Sequence, residues 1–423
     1  MVNYIYTRWC NKVRKLLILD WSSEWRGYVL EAAARMGVNV LLVMDRDRPT
    51  PEVVLDKLIL PDLYQNPVQW AETIATYGRR WGVDGVFTHE DELVELSAIV
   101  AQYLRLPGPS PKGVRRALDK WETRECLREI GLPNPNYRRA NSFDELKSAV
   151  NQIGLPVVIK PIASSSAEGA SKVERLEDIE IAWRAAFEAS LSSPVSPGQV
   201  IVEEYLRDEG RVLSLEGMII EGQLFPITIT EAHQYHSSRG GRALRIHYKD
   251  YFLPAPVTEK TYREIVLMSS KLAEALPIHL GAVHVEYKLT PEGPRLLEFN
   301  PRLGGGLVPL MVRQAFGVDL AEASLKLALG EKPDLRFTKS SAVCLDWYVP
   351  PYEGIVRSVH GFEEMLTAPN VVHGELRVKI GERVAPGWLG LAFVMTEHSD
   401  PLGALKSARN ALKHLSIEIE PVS

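Results

Sequence analysis

Cysteine is scarce in this 423-residue chain: Cys10, Cys126 and Cys344 lie far apart and form no CxxC pair. That excludes a disulfide framework and a cysteine-built zinc centre, and a reducing cytoplasm is the expected compartment. No apolar run approaches the length of a membrane span, and the opening MVNYIYTRWCNKVRK lacks the apolar core of a signal peptide. A soluble protein with no membrane partner is expected. A surplus of positive charge is missing too: the net charge is −5, and basic clusters such as Lys112–Arg116 are short and mixed with acids. Nucleic acid is therefore not an expected partner. No internal repeat or low-complexity tract interrupts the chain. The turn after the first apolar run, DWSSEWRG, contains no GxGxxG, which argues against a dinucleotide site there.

What is present reads as an ordinary globular protein, with 45% apolar and 24% charged residues and length enough for two or three domains. Apolar runs at 15–20, 38–45, 57–62 and 83–89 read as strands. They alternate with helical patterns at 24–37, at 67–82 and from Glu90, so a parallel, doubly wound sheet is expected. The Pro/Gly-rich LPGPSP (106–111) marks a break. Beyond it the pattern predicts one helix over 112–131, then a helix over 142–154 with Ser142 and Glu145 as a capping box. A strand at 156–161 follows, then a small-residue loop at 163–171, a helix near 176–190 and a strand at 199–206. Hairpins are expected at 211–220/223–230 and 281–290/295–302, and helices over 307–330. A final segment mixes strands (AVCLDWYV, ELRVKI, LGLAFVMTE) with a closing helix at 400–414. Segment 231–252 has no packing periodicity. It reads as a loop that encodes substrate choice, with Arg239, Arg242 and Arg245 as candidates for a substrate carboxylate, or simply as a surface loop.

The chemistry is concentrated in LLEFNPRLGGG (296–306). Period-2 spacing puts Glu298, Asn300 and Arg302 on one face of a strand, and the rest of RLLEFN is apolar. The neighbouring run GAVHVEYKL puts His284, Glu286 and Lys288 on a matching face. Two carboxylates and an amide from adjacent strands suit a hard cation, and Mg²⁺ is favoured because it binds through one or two carboxylates plus substrate phosphates. Arg302 can meet a phosphoryl group with a bidentate fork, and the glycines after it allow close backbone approach. Lys160 ends the apolar run VVIK, where a buried ammonium needs a partner such as phosphate. Lys120, in LDKWETR, is on its residues alone equally an exposed helix lysine. The loop Ser164–Ser171 reads as a lid over phosphates or as a linker.

On these motifs the chain resembles the ATP-grasp carboxylate–amine ligases, in the group with the bacterial L-amino acid ligases that make dipeptides. The resemblance runs through VVIKP, the serine-rich loop, VEEYL, HVEYKL and LLEFNPRLGGG. It implies an α/β (α+β) ATP-grasp fold with three parts: a Rossmann-like N-terminal domain (1–109), a nucleotide-binding and catalytic ATP-grasp domain (110–335) and a β-rich C-terminal α+β cap (336–423). It further implies that Lys120 and Lys160 contact ATP phosphates with Ser164, Ser165 and Ser166 above them, and that Glu203, Glu204, Tyr205 and Leu206 hold adenine. Glu286, Glu298 and Asn300 are implied to bind two Mg²⁺ ions, with Mn²⁺ as a substitute. Arg302 and Lys160 would act on the phosphoryl group, and His284 would contact substrate, the alternative being a satisfied core histidine. No ribose-binding acid stands where the family often has one. Arg211 occupies that place, and Glu209 and Glu216 are the substitutes. The implied reaction joins a carboxylate to an amine through an acyl-phosphate, releasing ADP and phosphate, with two small molecules as partners and a homodimer left open. Rival readings are a glycinamide-type ligase, a biotin-carboxylase-like enzyme (disfavoured by RLGGGL where RLQVEH is usual) and a nucleotide-binding regulator without catalysis.

Overall fold

The computed structural model describes residues 13–21, 26–164, 167–191, 197–207, 211–238, 244–386 and 390–422, with backbone alone at 234–238 and 244–247. The first part holds β1 (Lys15–Leu19), α1 (Gly27–Arg35), β2 (Asn39–Met44), β3 (Val54–Ile59), α2 (Ala71–Trp81), β4 (Gly85–Phe87) and α3 (Val94–Leu104). The four strands form a parallel sheet in the order β3-β2-β1-β4. KLLIL is apolar throughout because both faces are covered, as parallel sheets require. Leu16 and Ile18 pack into one core, Leu17 and Leu19 into another. The third strand begins three residues before the expected KLILPD, and its burial is only partial, which fits an edge position.

The middle of the chain contributes α4 (Pro111–Leu118), α5 (Lys120–Glu129), β5 (Tyr137–Ala140), α6 (Phe143–Ile153), β6 (Val157–Pro161), β7 (Ser171–Val173), α7 (Ile179–Leu191) and β8 (Val200–Glu204). Then come β9 (Arg211–Ile220), β10 (Gln223–Ser238), β11 (Leu244–Leu253), α8 (Glu259–Ala275), β12 (Gly281–Thr290), β13 (Gly293–Asn300), α9 (Val308–Phe316) and α10 (Leu320–Ala328). The expected single helix over 112–131 is two helices. Asp119 takes an extended conformation and its side chain accepts from the Glu122 amide at 3.0 Å, capping α5. Ser142 does cap α6, accepting from the Glu145 amide, while the Glu145 carboxylate reaches back to the Asn141 amide.

The C-terminal part adds β14 (Ala342–Tyr348), β15 (Gly354–His360), α11 (Phe362–Leu366), β16 (Val371–Leu376), β17 (Arg383–Val384), β18 (Ala392–His398), α12 (Pro401–Leu412) and β19 (Ser416–Pro421). The strand expected at ELRVKI lies earlier, at Val371–Leu376. The largest sheet has twelve strands: β13-β12-β9-β10-β11-β7-β6-β8-β5, with β14, β18 and β16 branching from β11.

Of segment 231–252, expected as a loop, residues 231–238 and 244–252 are instead strand, the second half of β10 and most of β11; Arg239 and Arg242 lie outside the described residues, and Arg245 is described by its backbone alone. A bulge explains why the segment's period was hidden. His233 pairs with Asp250 and Gln234 with Tyr248, so Lys249 is skipped and the facing of β11 changes there. Helix α10 binds the two main sheets together: a Cβ on Gly85 of β4 would lie 2.5 Å from the Ala328 carbonyl oxygen, so only glycine allows this approach.

Because Asp119 both ends one helix and starts the next, Asp119→Ala should lower stability by about 1 kcal/mol. The urea midpoint measures this; an unchanged midpoint would mean that the cap contributes nothing.

Candidate active site

The β12–β13 ladder sets Glu286 opposite Glu298 and His284 opposite Asn300, while β9 sets Glu216 opposite His284. Glu298 is held by Lys120, whose Nζ lies 2.9 Å from Oε1 and also donates to the Ser164 carbonyl at 3.2 Å. Burial raises the Glu298 pKa, but the Lys120 ammonium more than offsets it and keeps the carboxyl below the usual range. Glu286 accepts from the Tyr248 hydroxyl at 3.3 Å and sits 3.1 Å from His284 Nε2. Nδ1 of His284 sits 2.9 Å from Glu216, so both ring nitrogens are engaged by carboxylates. The histidine is buried. It bridges two acids at the cleft wall.

A second group lies around Glu203 of β8. Glu203 is 4% exposed, and its carboxylate takes Arg124 Nε at 2.7 Å and Lys160 Nζ at 2.8 Å. Arg124, 1% exposed, also donates to the Leu297 carbonyl at 3.1 Å. Burial pushes the Glu203 pKa up and the two cations pull it down to about 2; burial lowers that of Lys160. The Glu203 side chain is thus committed to two cations. Glu204 accepts from Asn136 at 2.6 Å. The Tyr205 ring lies between Lys172 and Lys288, 4.3 and 4.7 Å from its centroid. Leu206, Val158 and Leu297 supply the apolar surface of this end of the cleft.

The third group surrounds the glycine turn. Arg302 stands just past β13, where its Nε donates to Asp91 and its guanidinium also reaches the Leu303 carbonyl at 2.7 Å. Arg26 pairs with Glu90 at 2.5 Å and donates to the His89 carbonyl. The His89 ring lies between the Tyr28 hydroxyl at 3.0 Å and the Gly304 carbonyl at 3.1 Å. Burial, with Arg26 and Arg302 nearby, keeps His89 neutral, its pKa well below 6.5. A Cβ on Gly304 would lie 2.7 Å from Glu216 Oε2, and Gly306 has φ +57°, a conformation that favours glycine.

One cleft collects Lys120, Lys160, Ser164, Glu203, Glu204, Tyr205, Leu206, His284, Glu286, Glu298, Asn300 and Arg302. Ser165 and Ser166 lie outside the described residues, as does Glu209. Glu216 is buried behind His284, and Arg211 is tied bidentately to Glu231 at 2.7 Å. Sequence reasoning missed Arg124, Arg26, His89, Asp91 and Tyr248. Arg124 had a signal, since it follows Lys120 by four residues and shares its helix face.

Three family models match the chain: ATP-grasp N-terminal domain over 30–108, ATP-grasp domain over 153–309, and L-amino acid ligase C-terminal domain 2 over 346–420. The chain thus carries ATP-grasp domains followed by an L-amino acid ligase C-terminal domain. It is 24% identical to an alanine–anticapsin ligase of Bacillus amyloliquefaciens, over 69% of this chain and 60% of that protein. It is 32% identical to a formate-dependent phosphoribosylglycinamide formyltransferase of Flavobacterium psychrophilum, over 49% of this chain and 51% of that one. These alignments span only about half to three-fifths of the relatives' length. The fold matches an L-amino acid ligase from Bacillus licheniformis with TM-score 0.81 at 20% identity, covering 96% of this ATP-grasp chain and 99% of that chain.

The acid pair around His284 makes a pH prediction. Burial favours the neutral ring, but Glu216 and Glu286 push its pKa up from 6.5 to about 10. A raised pKa means that the contribution to stability is complete below about 6.5 and is lost as the pH climbs through about 10. The advantage of the wild type over His284→Gln in urea titrations should shrink steadily across that window; a constant difference would mean that the ring is neutral throughout.

Proposed function

We propose that this ATP-grasp protein joins the carboxylate of one amino acid to the amine of another through an acyl-phosphate, releasing ADP and phosphate. The observation that carries the reading is the placement of Arg302. It stands two residues beyond Asn300 at the mouth of the glycine turn, in the same cleft as Lys120 and Lys160. The similarity to alanine–anticapsin ligase and the L-amino acid ligase C-terminal domain support amino acids as the two small molecules.

In this reading Lys120 and Lys160 neutralise the ATP phosphates, and the ends of Glu203–Leu206 hold the base. The substrate carboxylate oxygen attacks the γ-phosphorus, and the bond to ADP breaks. Arg302, oriented by Asp91, offsets charge on the phosphoryl group during transfer. The incoming amine then attacks the acyl carbon and phosphate leaves. Among the described residues no three His, Cys, Asp or Glu side chains cluster as a metal cage. The two carboxylates and the amide oxygen nevertheless fit a cation that takes its remaining ligands from substrate phosphates, and the buried Asn300 Nδ2, without a hydrogen-bond partner in the protein, is a donor left for a phosphate oxygen. Glu286, Glu298 and Asn300 would hold two Mg²⁺ ions, or Mn²⁺ in their place, which would screen the phosphates and polarise the γ-phosphoryl group.

We further propose the division into 1–109, 110–335 and 336–423, although the β11–β14 ladder carries the large sheet across the last boundary. Cys126 and Cys344 are free thiols, which suits a reducing cytoplasm. A ligase or transferase acting on a phosphoribosylglycinamide-like amine is the second reading, favoured by the 32% identity to the formyltransferase.

Glu298→Gln should remove the partner of Lys120 and a metal ligand together. Phosphate release should fall at least about a hundredfold while the folded state persists by circular dichroism. The wild type should release ADP only with suitable amino acids. Near-normal turnover by the variant removes the metal role of Glu298, and AMP with pyrophosphate removes the acyl-phosphate mechanism. Turnover only with a glycinamide ribonucleotide favours the second reading.

A further inference from the structure

Resting on the ligase reading, we propose that the acyl donor is an amino acid with a large apolar side chain, which becomes the N-terminal residue of the product. The substrate end of the cleft has a wall made by β11 and β14. Tyr251 and Leu345 are register partners across that ladder, and Trp347 is two residues further along β14 on the same face. Their neighbours Asp250 and Asp346 alternate to the opposite face, where Arg409 of α12 meets Asp250 at 3.3 Å. Period-2 alternation therefore separates an ionic face from an apolar one, and the apolar one fronts the cleft.

The wall lies close to the reacting groups. Tyr248, brought onto the Tyr251 side by the bulge at Lys249, has its ring centroid 5.9 Å from that of Tyr251, and its hydroxyl donates to Glu286 at 3.3 Å. The side chain of a substrate resting on Tyr251 is thus one residue's reach from the Glu286 carboxylate. On its other flank the wall joins the glycine turn: Leu307 and Val308 follow Gly306 directly and share one apolar core with Leu345 and Trp347.

The carboxylate to be phosphorylated has to sit by Arg302 and the turn, so the side chain that lies on the wall is the donor's. Asp91, which also lines the cleft, holds Arg302 through its carboxylate. A charged side chain on this wall would lose its water without gaining a partner. A methyl group would leave most of the apolar surface uncovered. Ala232, the register partner of Tyr251 on β10, leaves room where a larger residue would fill the site.

The test follows ATP-dependent phosphate release over pairs of L-amino acids and reads the order of the joined product by fragmentation mass spectrometry. Phenylalanine, leucine or methionine should appear as the N-terminal residue, ahead of alanine, aspartate and lysine. Trp347→Ala should lower kcat/KM for the phenylalanine donor relative to the alanine donor by roughly tenfold to a hundredfold. Trp347 also packs edge-on against Phe393 at 5.0 Å, so Ala232→Leu provides a second variant; it should shift the ratio the same way by filling the site. A small or charged donor, a bulky residue in the C-terminal position, or an unmoved ratio in both variants overturns the wall and leaves the ligase reading standing. No joined product from any pair overturns both.

Discussion

Neutralising charge away from water is the constraint around which this cleft is built. A nucleotide needs cations that face it, and those cations have to be stable beside apolar strands. Glu203 meets that constraint by holding Lys160 and Arg124 at once, and Arg124 in turn reaches the backbone of β13 at Leu297. One carboxylate therefore ties α5, β6 and β8 together, and through Arg124 fixes the strand that carries Glu298. Removing one partner of such a group would leave the others buried and uncompensated. Lys120 with Glu298 and Arg302 with Asp91 repeat the arrangement on either side. A phosphate chain entering the cleft would meet lysines that already have carboxylates beside them, so binding exchanges partners and does not create isolated charge.

The second organising feature is distance along the chain. Arg302 and Asp91 are 211 residues apart, and His89 reaches Gly304 across 215. The N-terminal sheet holds the glycine turn from outside, using a neutral histidine whose burial keeps it an uncharged link. The turn itself needs Gly304 because the Glu216 carboxylate fills the space of a side chain. The reacting end of the site is thus shaped by residues from both sheets, with α10 locking the sheets together at Gly85.

Much of this was legible from residue types. Period-2 spacing in HVEYKL and LLEFNPR placed Glu286, Glu298 and Asn300 together, and the observed register pairs them as expected. The β-strands of the N-terminal part were visible because a sheet covered on both faces leaves continuous apolar runs. What escaped did so for physical reasons. Arg124 looks like any solvated helix arginine until Glu203 arrives from another element. Asp91 and His89 act only through contacts far along the chain, which no local pattern encodes. The strands at 231–238 and 244–252 stayed hidden because a bulge at Lys249 breaks the alternation. The split at Asp119 was readable: Asp-Lys-Trp-Glu has an acid at the cap and another three residues on.

The seam between β11 and β14 bears on how such proteins can be recombined. Tyr251 comes from one side of the seam and Leu345 from the other, joined by the backbone ladder from Asp250 to Leu253. Strand β11 also meets β7, just after the serine-rich loop, through Leu244 and Arg245. A chimera made by exchanging the C-terminal segment would inherit half of a substrate wall and would have to rebuild a twelve-stranded sheet at the same junction. Transplanting specificity therefore means moving β11 and β14 as one piece, and with them the register of a strand that also touches the nucleotide side.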